Sequence, residues 1–425
     1  MEWTTACPDW AERLKKRQSI IPAPIFPEEA ERAQAVFKRL RIVDAPGSPT
    51  FGEACAQWVF DFVAAIFGSY DAETGNRLIK EVFLLISKKN SKSTLAAGVM
   101  VTALIMNWRQ SAELIILAPT VEVAGNSFAP ARDMIRADPE LSEIFLVQEH
   151  IRTITHRVTK ATLKVVAADN DTVGGKKASW ILIDEEWLFG KKPNAENMFR
   201  EAMGGLASRP EGVLIKLSTQ SDDPPAGIFR QDLIYARKVR DGATQDKAYL
   251  PVLYEFPPDM VERKDYLDPS NFYITNPNMG LSVDVAFIER EFAKAKEAGE
   301  ESLRGFLAKH LNVEIGLALR SDRWSGADCW AQQTDKSITL ESLLERCEVV
   351  DVGVDGGGND DLLGLAVAGR EEGTGRWLLW TRAWANRPVL ERRQSEAPRL
   401  RDFARDGDMV ICETVGRDVD EVAEI

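Results

Sequence analysis

The sequence predicts an α/β fold: a parallel sheet covered by helices on both faces, followed by a second, smaller α/β unit. Three observations lead there. Short apolar runs recur between helical or loop stretches: EVFLLI (81–86), ELIILA (113–118), TLKVVA (162–167), WILID (180–184) and GVLIKLS (212–218). Runs of that length without polar alternation suit strands buried on both faces. A Lys-Ser pair opens a helical stretch directly behind the first run, and three consecutive acids close the fourth.

Composition bounds the rest. At 425 residues, with 44% hydrophobic and 28% charged residues, the chain is too long for one ordinary core, and two domains are the default. No apolar run approaches the roughly 18 residues of a membrane helix, and the N-terminal MEWTTACPDWAERLKKRQ lacks a secretory apolar core. No membrane partner is expected. Cys7, Cys55, Cys329, Cys347 and Cys412 are scattered without a CxxC pair. That pattern suits reduced thiols better than a disulfide framework or a zinc site. With only His150, His156 and His310, a histidine-based metal centre is disfavoured. The net charge of −13 and a pI near 5.0 argue against bulk coating of nucleic acid, while leaving room for a local basic grip.

The elements follow in order. Residues 1–45 are Pro-punctuated, carry a basic amphipathic stretch at Ala11–Gln18, and read as an N-terminal arm. A helix is expected from about residue 53, since EACAQWVFDFVAAIF places apolar residues at helical spacing and stops before Gly68. The strand-rich stretch 46–250 then forms the first domain. Residues 251–345 change texture: PVLYEFPPDM is broken by prolines, NPNMG is a turn cluster, and Val285–Asn312 is one long helical pattern. This stretch reads as a bridge sub-domain. A strand at Glu348–Val354, a Gly-rich turn, and the strand candidates LGLAVAG and RWLLWTRAW open a second α/β domain over 346–425.

Chemistry concentrates at strand ends. Ile86-Ser-Lys-Lys-Asn-Ser-Lys92-Ser93-Thr94 joins a strand to a helix, the layout of a nucleotide-binding phosphate loop. A helix N-terminus offers unpaired N–H groups and partial positive charge to phosphate oxygens. Lys92 would reach the β- and γ-phosphates of ATP, and Ser93 would hold Mg²⁺. Lys88, Lys89, Asn90, Ser91 and Thr94 complete this candidate set. Both glycines of the standard loop are missing, with Ile86 and Ser91 in their places, so a plain basic helix cap is the alternative.

Asp184, Glu185 and Glu186 end the WILID strand. In a phosphate-loop ATPase such a strand is expected beside the loop strand, with Asp184 supporting Mg²⁺ and Glu185 polarising the attacking water. The alternative is a strand exit with solvated acids, and Glu186 reads as the surface member. Ser218, Thr219 and Gln220 at the next strand end are placed to sense the γ-phosphate, at the edge where open α/β sheets bind ligands. Gln57, at the start of the first helix, is a candidate for the adenine edge.

These motifs, in this order, resemble the large terminase subunits of tailed double-stranded DNA bacteriophages. AQWVFDFVAAIFG followed by TGNRLIKEVFLLISKKNSKST is similar to the family's adenine segment, Thr-Gly-x-Arg element and Lys-Asn-Gly-Lys-Ser loop, with Ser91 at the family's glycine. ILIDEEW resembles its Asp-Glu strand, IKLSTQS its coupling motif, and NPNMG (276–280) and FLAKHLN (306–312) two further segments. The resemblance implies a RecA/ASCE-like ATPase that packages DNA as a ring on a portal protein, served by a small terminase subunit, in the host cytoplasm and transiently docked on the procapsid. It also implies a neighbour's arginine finger, for which Arg77, Arg152, Arg157 and Arg209 are candidates. VDVGVDGGGNDDL resembles the family's first nuclease strand. By that likeness an RNase H-like domain begins there, with Asp355 as a ligand of Mg²⁺ or Mn²⁺ and Asp361 structural. Glu413 is a candidate second ligand. The remaining metal-binding acids of the family lie on later strands, so this chain as given is expected to be a weak nuclease or none. A helicase-like ATPase and a hydrolysis-deficient DNA-binding or scaffold module are the rival readings.

Overall fold

A computed structural model describes residues 2–167, 178–316, 326, 330 and 333–425; Cys329 lies outside them. The chain divides into two compact units: residues 1–189 with 194–321, and residues 190–193 with 322–425.

The first unit is built on an eight-stranded sheet. Its strands are β1 (Glu81–Leu85), β2 (Glu113–Ala118), β3 (Phe145–Gln148), β4 (Thr153–His156), β5 (Thr162–Ala167), β6 (Ala178–Asp184), β7 (Val213–Ser218) and β8 (Tyr249–Leu253). They lie in the order β8-β1-β7-β6-β2-β5-β4-β3. The six from β8 to β5 run parallel, and β4 and β3 extend the sheet antiparallel. Alternation along β1 shows why the apolar runs are uninterrupted. Val82 and Leu84 join the larger core, whereas Phe83 and Leu85 join a second one with Phe229, Leu233 and Tyr249. Both faces are therefore covered, as continuous apolar strands require.

Three expectations about this unit change. Helices α1 (Trp10–Lys15) and α2 (Pro27–Phe37) are not a loose arm. Trp10, Leu14, Ile20, Ile21, Ala33 and Phe37 all belong to the main core, and burying each large apolar side chain contributes about 1.5–3 kcal/mol. The stretch 251–315 is likewise no separate bridge, because Met260, Tyr266, Phe272, Phe292 and Leu311 pack in that same core. The Pro-broken start of that stretch is in fact the end of β8, where Pro251 sits on an edge strand that pairs only with β1. An edge tolerates a residue that cannot donate to the ladder.

The first long helix is α3 (Gln57–Phe67), with only a short turn of helix at Phe51–Ala54 where its start was expected. Helices α4 (Lys92–Ile105), α5 (Val121–Arg136) and α6 (Gly227–Arg240) follow. The single long pattern over 285–312 divides into α7 (Val285–Glu297) and α8 (Glu300–Leu311). Gly299 separates them with φ +106°, a conformation that only glycine adopts without strain.

The second unit holds a four-stranded sheet in the order β9 (Cys347–Gly356), β10 (Leu363–Glu371), β11 (Trp377–Asn386), β12 (Met409–Cys412). The first three strands form an antiparallel meander, and β12 joins β11 in parallel. Gly356, Gly357 and Gly358 all have positive φ at the β9–β10 turn, and a Cβ on Gly356 would stand 2.0 Å from the Leu362 carbonyl oxygen. Leu363, Leu365, Trp384 and Cys412 form one buried cluster of this unit, and Val389, Leu390, Ala397 and Leu400 belong to another. No helix among the described residues is long and apolar enough to cross a membrane.

Candidate nucleotide-binding site

The loop from β1 to α4 turns without glycine. Lys89 (φ 75°) and Ser91 (φ 58°) both occupy the left-handed region, at a cost of roughly 1–2 kcal/mol each. Neighbouring segments hold the loop in that shape. The buried Asn90 amide donates to the Ser87 carbonyl at 3.0 Å and to Asn276 Oδ1 at 2.8 Å. In return, the Asn278 backbone N–H donates to Asn90 Oδ1 and its side-chain amide to the Asn90 carbonyl, both at 3.1 Å. Ser282 donates to the Lys89 carbonyl at 2.8 Å. The segment 276–282 thus braces the loop, which supplies the physical reason for the NPNMG motif that its composition alone does not reveal. Lys88, Lys89 and Ser91 are exposed, Ser93 and Thr94 are half-buried, and Lys92 is buried.

Lys92, the first residue of α4, reaches the end of β6. Its Nζ lies 2.6 Å from Glu185 Oε1 and 3.7 Å from Asp184 Oδ1. Asp184 is fully buried. Its Oδ2 accepts from Ser93 at 3.1 Å and from Ser127 of α5 at 2.9 Å, and its Oδ1 accepts from the Glu185 backbone N–H at 3.0 Å. Glu185 has φ 56°, a strained backbone of the kind that persists where surroundings over-determine it. Its second carboxylate oxygen accepts from the Trp187 indole at 2.6 Å. Burial works to raise the Glu185 carboxyl, but Lys92, the Trp187 indole and the Lys309 ammonium together hold it below its usual range.

Two expectations are corrected here. The acidic strand does not lie beside the loop strand: β7 stands between β1 and β6. Convergence survives because the long Lys92 side chain spans the intervening strand end. Glu186 is not a surface acid but fully buried, since a short helix over Glu186–Phe189 turns it inward beneath β7. Burial, together with the Asp232 carboxylate, pushes its carboxyl well above the usual range against the pull of Lys216. Lys216, itself buried, is ion-paired with Glu81 and Asp232.

Ser218, Thr219 and Gln220 are buried at the end of β7, and Ser218 Oγ accepts from the Trp187 backbone N–H at 3.0 Å. The Gln220 N–H donates to Asn312 Oδ1 at 3.1 Å, and Asn312 donates to the Tyr254 carbonyl at 2.9 Å. Gln57 is exposed and donates to Asp61 at 2.8 Å. The adjacent Trp58 indole donates to Asn278 at 2.8 Å, so Gln57 stands near the braced loop. Ser127 lies in none of the segments singled out in the sequence, and Trp187, Lys309 and the asparagines 276, 278 and 312 lie in segments known there only by resemblance, with no role assigned to them. Only the tertiary fold assigns them to the site.

The family model described as terminase large subunit, ATPase domain matches residues 58–237. This segment belongs to that family. The large terminase of bacteriophage HK97 is 21% identical, with 93% of this chain and 77% of that chain covered at a TM-score of 0.56. The large terminase of a thermophilic bacteriophage in complex with ATP-γ-S is 14% identical, covering 81% and 74% at a TM-score of 0.36. No curated protein matches.

Within the terminase fold the arginine candidates separate by sheet edge. Arg77 precedes β1, Arg209 precedes β7, and Arg157 follows β4, whose direction is reversed. All three therefore lie at the edge opposite Lys92. Arg152, just before β4, shares the edge of the site. Arg77 is buried, donates to the carbonyls of Ile66 and Glu211 and to Ser69 Oγ, and so cannot serve a neighbouring subunit. Its removal strands those acceptors. Arg77→Met is expected to lower unfolding free energy by about 3 kcal/mol, measured by denaturant titration; a loss below about 1 kcal/mol would contradict this structural role.

His310 stacks on Phe306 at 4.9 Å, beside the phosphate loop. Burial and the charges of Lys88 and Lys89 push its pKa down to about 4. A base depressed in the folded state contributes stability fully present above its unfolded pKa, near 6.5, and lost as pH falls toward 4. The first unit should accordingly weaken between about pH 6.5 and 4, and His310→Gln should flatten part of that slope in thermal unfolding scans.

In the second unit Asp355 lies exposed on the edge strand β9. Glu413 lies just past β12 at the opposite edge and pairs with Arg387 at 2.8 Å. Three strand spacings of about 4.8 Å separate those edges, too far for one metal ion, so the expected Asp355–Glu413 pairing is not supported. Asp361 is exposed and accepts from the Leu362 N–H at 2.9 Å. Among the described residues no cluster of three or more His, Cys, Asp or Glu could hold a metal.

Proposed function

We propose that this chain is an ATP-hydrolysing motor that drives double-stranded DNA into a viral procapsid, acting as a ring on a portal and recruited through a small terminase subunit. The observation that carries the reading is the meeting of Lys92 with Asp184 and Glu185 at 3.7 and 2.6 Å, at the N-terminus of α4 and the carboxyl edge of a parallel sheet. The donors suit a hard divalent cation: the Ser93 hydroxyl already touches Asp184, and both offer oxygen. Ser93 and Asp184 would hold Mg²⁺, which when bound neutralises charge on the β- and γ-phosphates.

The protein's own groups do the rest. Lys92 and the first N–H groups of α4 bind phosphate oxygens, Lys88 and Lys89 add positive charge at the loop mouth, and Gln57 meets the base. Glu185 orients the attacking water and accepts its proton. Ser218, Thr219 and Gln220 respond to the γ-phosphate; Gln220 Nε2 is a buried donor with no acceptor among the described residues. Arg152 is the arginine that would serve a neighbour's site. Asp355 would contribute one ligand of Mg²⁺ or Mn²⁺ to a nuclease centre in the second unit.

Steady-state ATP turnover with and without double-stranded DNA tests the reading. Turnover raised by DNA, with no strand separation, is the expected result. Strand separation would favour a helicase, and absent turnover would favour a module that has lost hydrolysis.

A further inference from the structure

Helix α8 contributes one residue that touches the phosphate loop, the Trp187 ring and the segment after β7. Lys309 lies in the last turn of α8. Its carbonyl accepts from the Lys88 N–H of the phosphate loop at 2.8 Å. Its ammonium sits 2.9 Å from the centroid of the Trp187 ring and donates to the Gln220 carbonyl at 3.1 Å. The same indole donates to Glu185 Oε2 at 2.6 Å, while the Trp187 backbone N–H donates to Ser218. One residue thereby links the three: its carbonyl holds the phosphate loop, and its ammonium meets the end of β7 and the indole that in turn holds the acid after β6.

We propose that Lys309 is a positioning residue for hydrolysis: it fixes the Trp187 indole, and through it aims the Glu185 carboxylate while tying that aim to the Ser218–Gln220 segment. The inference rests on the ATPase reading above. A lysine in the last helical turn would satisfy the helix dipole wherever its ammonium pointed. Here the ammonium is instead directed to a ring face, to a carbonyl 89 residues distant in sequence and to the Asp222 carboxylate at 3.8 Å. Attraction between a cation and the face of an indole is directional, so it sets the ring plane and hence the line along which the indole N–H meets Glu185. Because Glu185 carries a strained backbone, its carboxylate direction depends on such outside contacts. Movement of α8 would change both that direction and the position of Gln220. Charge release at the phosphates and displacement of α8 are then two ends of one linkage.

The test is a kinetic series on the full chain. Lys309→Met is expected to lower kcat about tenfold with KM for ATP within twofold of wild type. Lys309→Arg should restore most of kcat, since a guanidinium also stacks on tryptophan. Trp187→Phe, which keeps a ring but removes the indole N–H, should lower kcat alike, and the Lys309→Met/Trp187→Phe pair should lose little more than either change alone. A Lys309→Met enzyme with wild-type kcat, or losses that multiply in the double variant, would overturn the proposal. Should Lys309→Met not fold, the arginine and phenylalanine variants carry the same decision: failure of Lys309→Arg to hold kcat, or normal kcat in Trp187→Phe, would overturn it. Lys92→Ala run alongside separates the two readings. If that variant turns over ATP within threefold of wild type, the site assignment itself fails; if its turnover falls by at least about 10²-fold while Lys309→Met is normal, only the positioning role fails.

Discussion

Lys92→Ala should lower ATP turnover by at least about 10²-fold, the scale of losing one preorganised charge partner for a transferring phosphoryl group. Two effects combine. The ammonium that would follow the γ-phosphate is removed, and ATP binding weakens because the helix N-terminus alone remains to meet the phosphates. The structure adds a consequence for the protein without substrate. Lys92 is 7% exposed and lies between Asp184 and Glu185, so its loss leaves two neighbouring carboxylates with neutral hydroxyl, backbone N–H and indole donors in place of the ammonium. Breaking a buried pair from one side is costly, about 3 kcal/mol, and the variant should unfold at lower denaturant than wild type. Adding Glu185→Gln to Lys92→Ala should recover part of that stability, as residues sharing one network are non-additive. Turnover of Lys92→Ala within threefold of wild type would end the assignment.

Glu185→Gln should behave differently. The amide keeps the size of the side chain, but its one oxygen can accept from the Trp187 indole or the Lys92 ammonium and not both, so stability should fall by about 1–3 kcal/mol. It cannot take a proton from water. A loss of about 10²–10⁴ in kcat is expected, the usual contribution of a positioned general base. ATP affinity should stay the same or tighten, because Lys92 no longer has a carboxylate at 2.6 Å competing with phosphate for its ammonium. Equilibrium binding of a fluorescent ATP analogue, beside single-turnover hydrolysis, measures both halves. If kcat is unaffected, the base is another group; Glu186 is a poor substitute because it is fully buried among Lys216, Asp232 and Glu81 and has no contact with Lys92.

Much of the site was legible because its chemistry is local. A strand, a loop and a helix that start with Lys92 and Ser93 are consecutive in sequence, and an apolar run ending in Asp184 and Glu185 needs no distant information. Glu186 was misread for a related reason. Three adjacent acids look alike as letters, and only the turn into a short helix after Glu185 sends one of them inward. The asparagines at 276, 278 and 312 were visible only as a resemblance. Their hydrogen bonds reach back as far as 220 residues, a distance over which periodicity and spacing say nothing. The Pro251 strand was missed because proline argues against a strand until its place at an edge is known. The N-terminal 45 residues looked detached because their apolar positions, Trp10, Leu14 and Phe37, are too few to form a core alone; they share the core of the sheet.

What the sequence by itself determined is the class of fold, five of the eight strands of the larger sheet, and the residue types at the two strand ends that would meet a triphosphate. Those follow from burial on both sheet faces and from helix N-terminal chemistry, which short windows record. Only the tertiary structure decided which strand stands between β1 and β6, that Glu186 is buried, which arginine shares the site's edge, and that Lys309 meets the β1–α4 loop, the Trp187 ring and the segment after β7. Those relations depend on crossover order and on hydrogen bonds between segments far apart in the chain, where the local pattern is the same whichever partner is chosen.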